Sequence, residues 1–186
     1  MMRSLLTGVR ALSKLASGLA IAANAAGTLI VLALVLVVNY DVIARGMFNS
    51  PFRGAVEVVQ FSMILIVFLQ LPDVVRVNRL TRSDGFLTVL GASRPGLTSF
   101  LRRLINLFSA IFMFLIALAI WPEFVEMYET KDFFGVPGIF TAPWWPVKLT
   151  IFLSAALCLA LFLIKVLTPD KFVEPVRLSE HPEDES

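Results

Sequence analysis

"NYDVIARGMFNSPFRGAVEVVQF", Asn39 to Phe61, joins two long apolar runs and carries Asp41, Arg45, Arg53 and Glu57. Charges this close to apolar segments either line a path through a membrane or hold the chain to something at its surface. Ser50 is a good helix N-cap and Pro51 a good first helical residue. The spacing therefore predicts a turn followed by a helix, with Arg53 and Glu57 four apart on one face. Arg45 would reach Glu57 from the other side of the turn. Glu57 falls one to two turns inside that helix, near an interface where an unpaired carboxylate is costly. Three readings follow: a salt bridge that fixes the hairpin between two helices, a polar contact with another subunit, or an ion-binding group.

The rest of the chain decides what these helices are. Of 186 residues, 58% are hydrophobic and 16% charged, with a mean hydropathy of +0.82. An ordinary soluble domain is roughly 45–50% apolar, so the excess must face lipid. A net charge of +2, with no basic cluster interleaved with aromatics, gives no footprint for nucleic acid. The single cysteine, Cys158, lies in an apolar run, which excludes an internal disulfide and a CxxC site. The single histidine, His181, lies in an acidic tail, so paired histidines cannot hold a haem. No metal site and no cofactor are expected.

A helix needs about 20 mostly apolar residues to cross the hydrocarbon core. Four segments qualify: 18–40, 55–77, 104–121 and 147–167. The first follows Arg3, Arg10 and Lys14, as a cleaved signal would. Its apolar stretch continues unbroken to Val38, beyond the about 7–15 residues of a signal. We read it as a retained helix. The N-terminal segment, residues 1–17 and on into the first span, places Leu5, Val9, Leu12, Leu15 and Leu19 at helical spacing, with Arg3, Thr7, Arg10 and Lys14 opposite. That pattern suits an amphipathic helix lying on an anionic membrane surface, in contact with lipid. Segment 78–103 mixes leucines with arginines and should also lie along the membrane, with Pro95-Gly96 as a break. Residues 168–186 read as a disordered acidic tail.

Orientation follows from Lys and Arg. Arg3, Arg10 and Lys14, then Arg76, Arg79, Arg82, Arg94, Arg102 and Arg103, then Lys165, Lys171 and Arg177 share one side. Only Arg45, Arg53, Lys131 and Lys148 fall on the other. Basic loops stay cytoplasmic. The fold class expected is an all-α membrane protein with four transmembrane helices, both termini inside, and a cytoplasmic tail. Tyr40, Trp121, Tyr128, Trp144 and Trp145 all fall at span ends on the outer face, as interface anchors should.

Missing features matter as much. Transporter cores usually contain helices broken by Gly or Pro near the midplane. The second to fourth spans lack these apart from Pro72, near one end of the second. Their charges sit at the ends of apolar rods, and no polar stripe runs through the second helix. This suits a scaffold or accessory subunit better than a pore. A self-sufficient small homo-oligomeric transporter or channel, with Glu57 as its coupling carboxylate, is the alternative. A membrane enzyme is disfavoured by the lack of paired cysteines, paired histidines or clustered carboxylates in the spans.

Arg45 followed by "FNSPFRGAVE" and a long apolar helix resembles the small membrane subunit of tripartite ATP-independent periplasmic (TRAP) transporters, the DctQ-type family. The resemblance rests on Arg45, Phe48, Asn49, Pro51, Gly54 and Glu57. It continues in "RVNRLTRSDGF", where Arg76 and Asp84 fit and Arg79 stands where histidine is common, and in "PWWP", Pro143 to Pro146. It implies a bacterial inner-membrane scaffold for a large multi-span, sodium-coupled permease subunit. It also implies a periplasmic substrate-binding protein that delivers an organic acid. Arg45, Pro51, Arg53 and Glu57 would then orient the contact with the large subunit. Glu123, Glu126, Glu129 and Asp132, recurring every three residues on the outer side, read either as a solvated acidic loop or as a docking surface for that binding protein. Helix is expected to continue past Pro122, with Phe124 and Val125 extending the third span or with Pro122 as the first residue of a new helical segment.

The topology is testable with single cysteines in a Cys158→Ser background. Arg53→Cys and Lys131→Cys should react with an impermeant thiol reagent in spheroplasts, and Arg94→Cys should not. Labelling at position 94 but not at 131 would overturn the orientation.

Overall fold

The computed structural model describes residues 2–78 and 95–167. The remainder of the expected membrane-hugging connection, with Arg79 and Asp84, and the acidic tail lie outside the described residues.

The first helix, α1, runs unbroken over Met2–Phe48, 47 residues. Its sequence is rich in Ala, Leu and Val and has no proline, so nothing interrupts the backbone ladder. Residues 2–17 are helical and continue directly into the first span. At about 1.5 Å per residue α1 is roughly 70 Å long, more than twice the hydrocarbon thickness of about 30 Å. It ends where Asn49 turns left-handed (φ 49°) and the Ser50 N–H reaches back to the Ala44 carbonyl at 3.2 Å.

Helix α2 covers Ala55–Arg76, α3 covers Pro95–Thr130, and α4 covers Trp145–Leu167. All four helices are long and apolar enough to cross a membrane. Between α3 and α4 sits a small hairpin, β1 (Phe133–Val136) paired antiparallel with β2 (Phe140–Pro143). One expectation is corrected here. Helix α2 does not start at Pro51: Gly54 is its N-cap, in a left-handed conformation (φ 100°). Helix α3 continues past Pro122, as expected, with no new segment starting there. A proline removes one helix hydrogen bond, and the next turn, rich in good helix formers, carries the ladder on to Thr130.

The helices alternate in direction. Asn24 of α1 bonds Asp73 of α2, and Gly27 meets Gln70, so α1 and α2 are antiparallel. Trp121 lies against Phe152 and Tyr128 against Trp145, which sets α3 antiparallel to α4. Helix α4 is the hub and touches the other three. Its Cys158, Leu161 and Phe162 form the core with Ala16, Ala20, Val75 and Ala110. The small residues on α1 let the helices approach closely, the usual packing solution in lipid. The outer faces are apolar: Leu29, Leu32 and Leu36 on α1, and Phe108, Ile111, Phe112 and Leu115 on α3, are exposed.

Polar groups tie the helices at the end bearing the termini. Asp73 accepts from Asn24 Nδ2 (3.1 Å) through one oxygen and from Arg76 Nε (2.7 Å) through the other. Lys165 Nζ of α4 caps the end of α2, donating to the Val75 carbonyl and to Asn78 Oδ1.

Candidate partner-binding corner

The other end of the bundle holds the stretch on which the sequence reading opened. Its organiser is Asp41, in the last two turns of α1. One carboxylate oxygen accepts the Phe52 N–H (2.8 Å) and the other pairs with Arg45 (2.8 Å). Tyr40 meets the Phe52 ring edge-on at 6.4 Å. The backbone of the loop is thereby folded back onto α1. Its Ala55 N–H then bonds the Phe52 carbonyl (3.2 Å), and Gly54 launches α2.

The β-hairpin closes over this loop. Pro137 and Gly138 (φ 85°) form its turn, with the Ile139 N–H on the Val136 carbonyl at 3.1 Å. Gly138 supplies the positive φ that follows proline in a type II turn. Phe134 stacks on Phe61 of α2 at 6.2 Å and meets Trp144 edge-on at 4.9 Å. The Trp144 N–H closes the base on the Asp132 carbonyl at 3.0 Å. Phe140 packs so tightly on Gly54 that a Cβ there would lie 2.8 Å from the Phe140 Cβ. Gly54 is thus required twice, for its φ and for this contact.

The predicted residues are arranged differently from the expectation. Arg45 pairs with Asp41 four residues back, not with Glu57. Arg53 and Glu57 form no ion pair, because α2 begins after Arg53 and the i,i+4 helical geometry is lost. Pro51 and Arg53 are exposed in the loop, and Glu57 is half-buried in the first turn of α2. Exposed Arg45, with its side chain 63% accessible, adds little stability through its pair. The acidic series is also divided. Glu123 is engaged by Lys148 of α4, while Glu126, Glu129 and Asp132 are exposed. Of the aromatic anchors, Tyr40, Trp121 and Trp145 are exposed and Trp144 is half-buried under the hairpin.

Sequence reasoning missed Asp41 as organiser, Asp73 with Asn24, and the hairpin. The Pro137-Gly138 dipeptide between aromatic runs was the available signal for the last. The polar bonds between helices had no signal in spacing, because their partners lie on different segments. No three His, Cys, Asp or Glu side chains gather among the described residues.

Four spanning helices with a polar corner at one end and a polar tie at the other define a multi-pass membrane protein. Residues 34–171 match the family model described as "Tripartite ATP-independent periplasmic transporters, DctQ component". The chain belongs to this family, the small permease subunits of TRAP transporters. No curated protein and no solved structure matches it.

Two glycines separate the role of the corner from a general effect of adding a methyl. Gly46 lies in α1 with open space around it, whereas Gly54 is left-handed and meets Phe140. Gly54→Ala should cost about 1–3 kcal/mol, and Gly46→Ala should stabilise by up to about 1 kcal/mol. Thermal unfolding of the purified variants in detergent checks this. Indistinguishable melting of the two would refute the corner as described.

Proposed function

We propose that this chain is the static scaffold of a TRAP transporter in the bacterial inner membrane. It holds a large sodium-coupled permease subunit that takes up an organic acid delivered by a periplasmic binding protein. Both termini face the cytoplasm, and the corner built by Asp41, Gly54 and the hairpin faces the periplasm. Residues 1–17 run along or emerge from the inner surface as a basic amphipathic helix. Arg45, Pro51, Arg53 and Glu57 orient the partner, and Glu126, Glu129 and Asp132 present negative charge to the binding protein.

The observation that carries this reading is where polarity stops. Beside the Asp73 tie the packed interior consists of Cys158, Leu161, Phe162, Ala110 and similar apolar side chains. Thr98 and Ser154 are the buried polar residues among the described ones. An ion or an acid crossing a membrane protein needs a lined path of charged or polar groups, and this interior supplies none. The family is described as a component of tripartite transporters, which supports a reading in which a partner carries the path.

Two measurements test the proposal. With the large subunit co-expressed, Glu57→Ala should reduce recovery of the two-subunit complex and uptake together, because a half-buried carboxylate without an internal ion pair needs a cation from outside. Full recovery of the complex with uptake abolished would assign Glu57 a direct transport role, and uptake by the purified chain alone in liposomes would reject the scaffold. Separately, Glu126→Lys with Glu129→Lys should raise the binding-protein concentration needed for half-maximal uptake and leave the membrane complex intact. The effect should fade with salt, since exposed charges are screened beyond about 8 Å at physiological ionic strength. An unchanged requirement at low salt rules out docking on this surface.

A further inference from the structure

The outer end of α3, the base of the hairpin and the start of α4 enclose a hollow of about 320 Å³, lined by Tyr128, Lys131, Phe133, Pro143 and Trp145. That falls in the size range of small-ligand sites, about 300–1,000 Å³. Three turns of the chain build it. Lys131 is left-handed (φ 54°) just past the end of α3, so the backbone swings directly into β1. Phe133 and Pro143 stand opposite each other at the base of the hairpin. Trp145 opens α4 and meets Tyr128 edge-on at 6.2 Å.

The hollow lies where the hydrocarbon gives way to lipid headgroups. At one end of the bundle Lys165 of α4 caps the end of α2. Trp145 is twenty residues earlier on the same helix. Twenty helical residues span about 30 Å, the hydrocarbon thickness. Trp and Tyr are also the residue types that settle at this boundary. Two turns deeper, Trp121 and Phe152 lie 5.0 Å apart, with Trp121 exposed. An apolar surface therefore leads from the hollow into the hydrocarbon.

Charge narrows the choice of occupant. Glu129, Lys131 and Asp132 are exposed, and none is ion-paired within the chain. A headgroup with a net negative charge gains Lys131 but is repelled by the two carboxylates that flank it. A headgroup carrying both a phosphate and an ammonium satisfies all three. Its ammonium is also attracted by aromatic ring faces, which the walls of the hollow supply.

We infer that this hollow holds the headgroup of phosphatidylethanolamine from the outer leaflet. The phosphate is bound by Lys131, the ammonium faces Glu129, Asp132 and the rings of Tyr128 and Trp145, and an acyl chain follows Trp121 and Phe152. The lipid fastens the hairpin base to the bilayer. The inference draws on the proposed orientation only for the leaflet that supplies the lipid.

Native mass spectrometry of the whole subunit, purified in detergent and given equal amounts of phosphatidylethanolamine and phosphatidylglycerol, reads retention directly. One phosphatidylethanolamine should be held in preference. Lys131→Asn keeps a residue that tolerates the left-handed backbone and should lower that retention by about fivefold. Lys14→Gln removes the same charge from the far end of α1 and should leave it unchanged. Glu129→Gln with Asp132→Asn should turn the preference toward phosphatidylglycerol. Retention of neither lipid, equal or stronger retention of phosphatidylglycerol by the unmodified subunit, undiminished retention in Lys131→Asn, or an equal loss in Lys14→Gln overturns the inference. Each of these outcomes leaves the scaffold reading standing, because no readout involves the large subunit or uptake.

Discussion

Within hydrocarbon each polar group must find its partner inside protein, and the described structure follows that constraint almost everywhere. Thr28, Asn39, Ser109, Thr130 and Thr150 each donate a side-chain hydrogen to the carbonyl four residues back on their own helix. Asn24 and Asp73 satisfy the demand across α1 and α2, and Arg76 completes the Asp73 site. Polar chemistry is thereby pushed to the two ends, and the middle of the bundle is left to packing.

The two ends do different jobs with the same residue type. Asp73 sets the height of α1 against α2, because a bond between segments so far apart in sequence tolerates no slip of a helical turn. Asp41 works locally and shapes the loop between α1 and α2 by accepting one backbone N–H. Neither carboxylate is valuable mainly for its charge pair. Arg45 is largely exposed and Arg76 partly so. What each supplies is an acceptor in a place where water is scarce.

The spans were legible because hydropathy over twenty residues is a strong, additive signal, and the four segments fall within the four helices found apart from Val77, the C-cap of α2. The corner was less so. Ser50-Pro51 has the composition of a helix start, yet Ser50 serves the end of α1, and Gly54, whose conformation no residue-type preference reveals, begins α2. Arg53 and Glu57 have helical spacing without a helix between them. Pro122 was compatible with continuation, and the helix runs through it. The hairpin hid among interfacial aromatics that were assigned to anchoring, and its four-residue strands are too short for a periodicity argument.

The meeting of Gly54 with Phe140 also orders events during synthesis. At about 5–20 residues per second, the ribosome reaches Phe140 on the order of ten seconds after Gly54. Through that interval the first two spans wait in the membrane with their outer turn uncovered. The turn is sealed only when the third span has inserted and the chain has doubled back. A closed corner is therefore a mark of maturity, and a quality-control protease that cuts the exposed loop would distinguish half-made chains from finished ones.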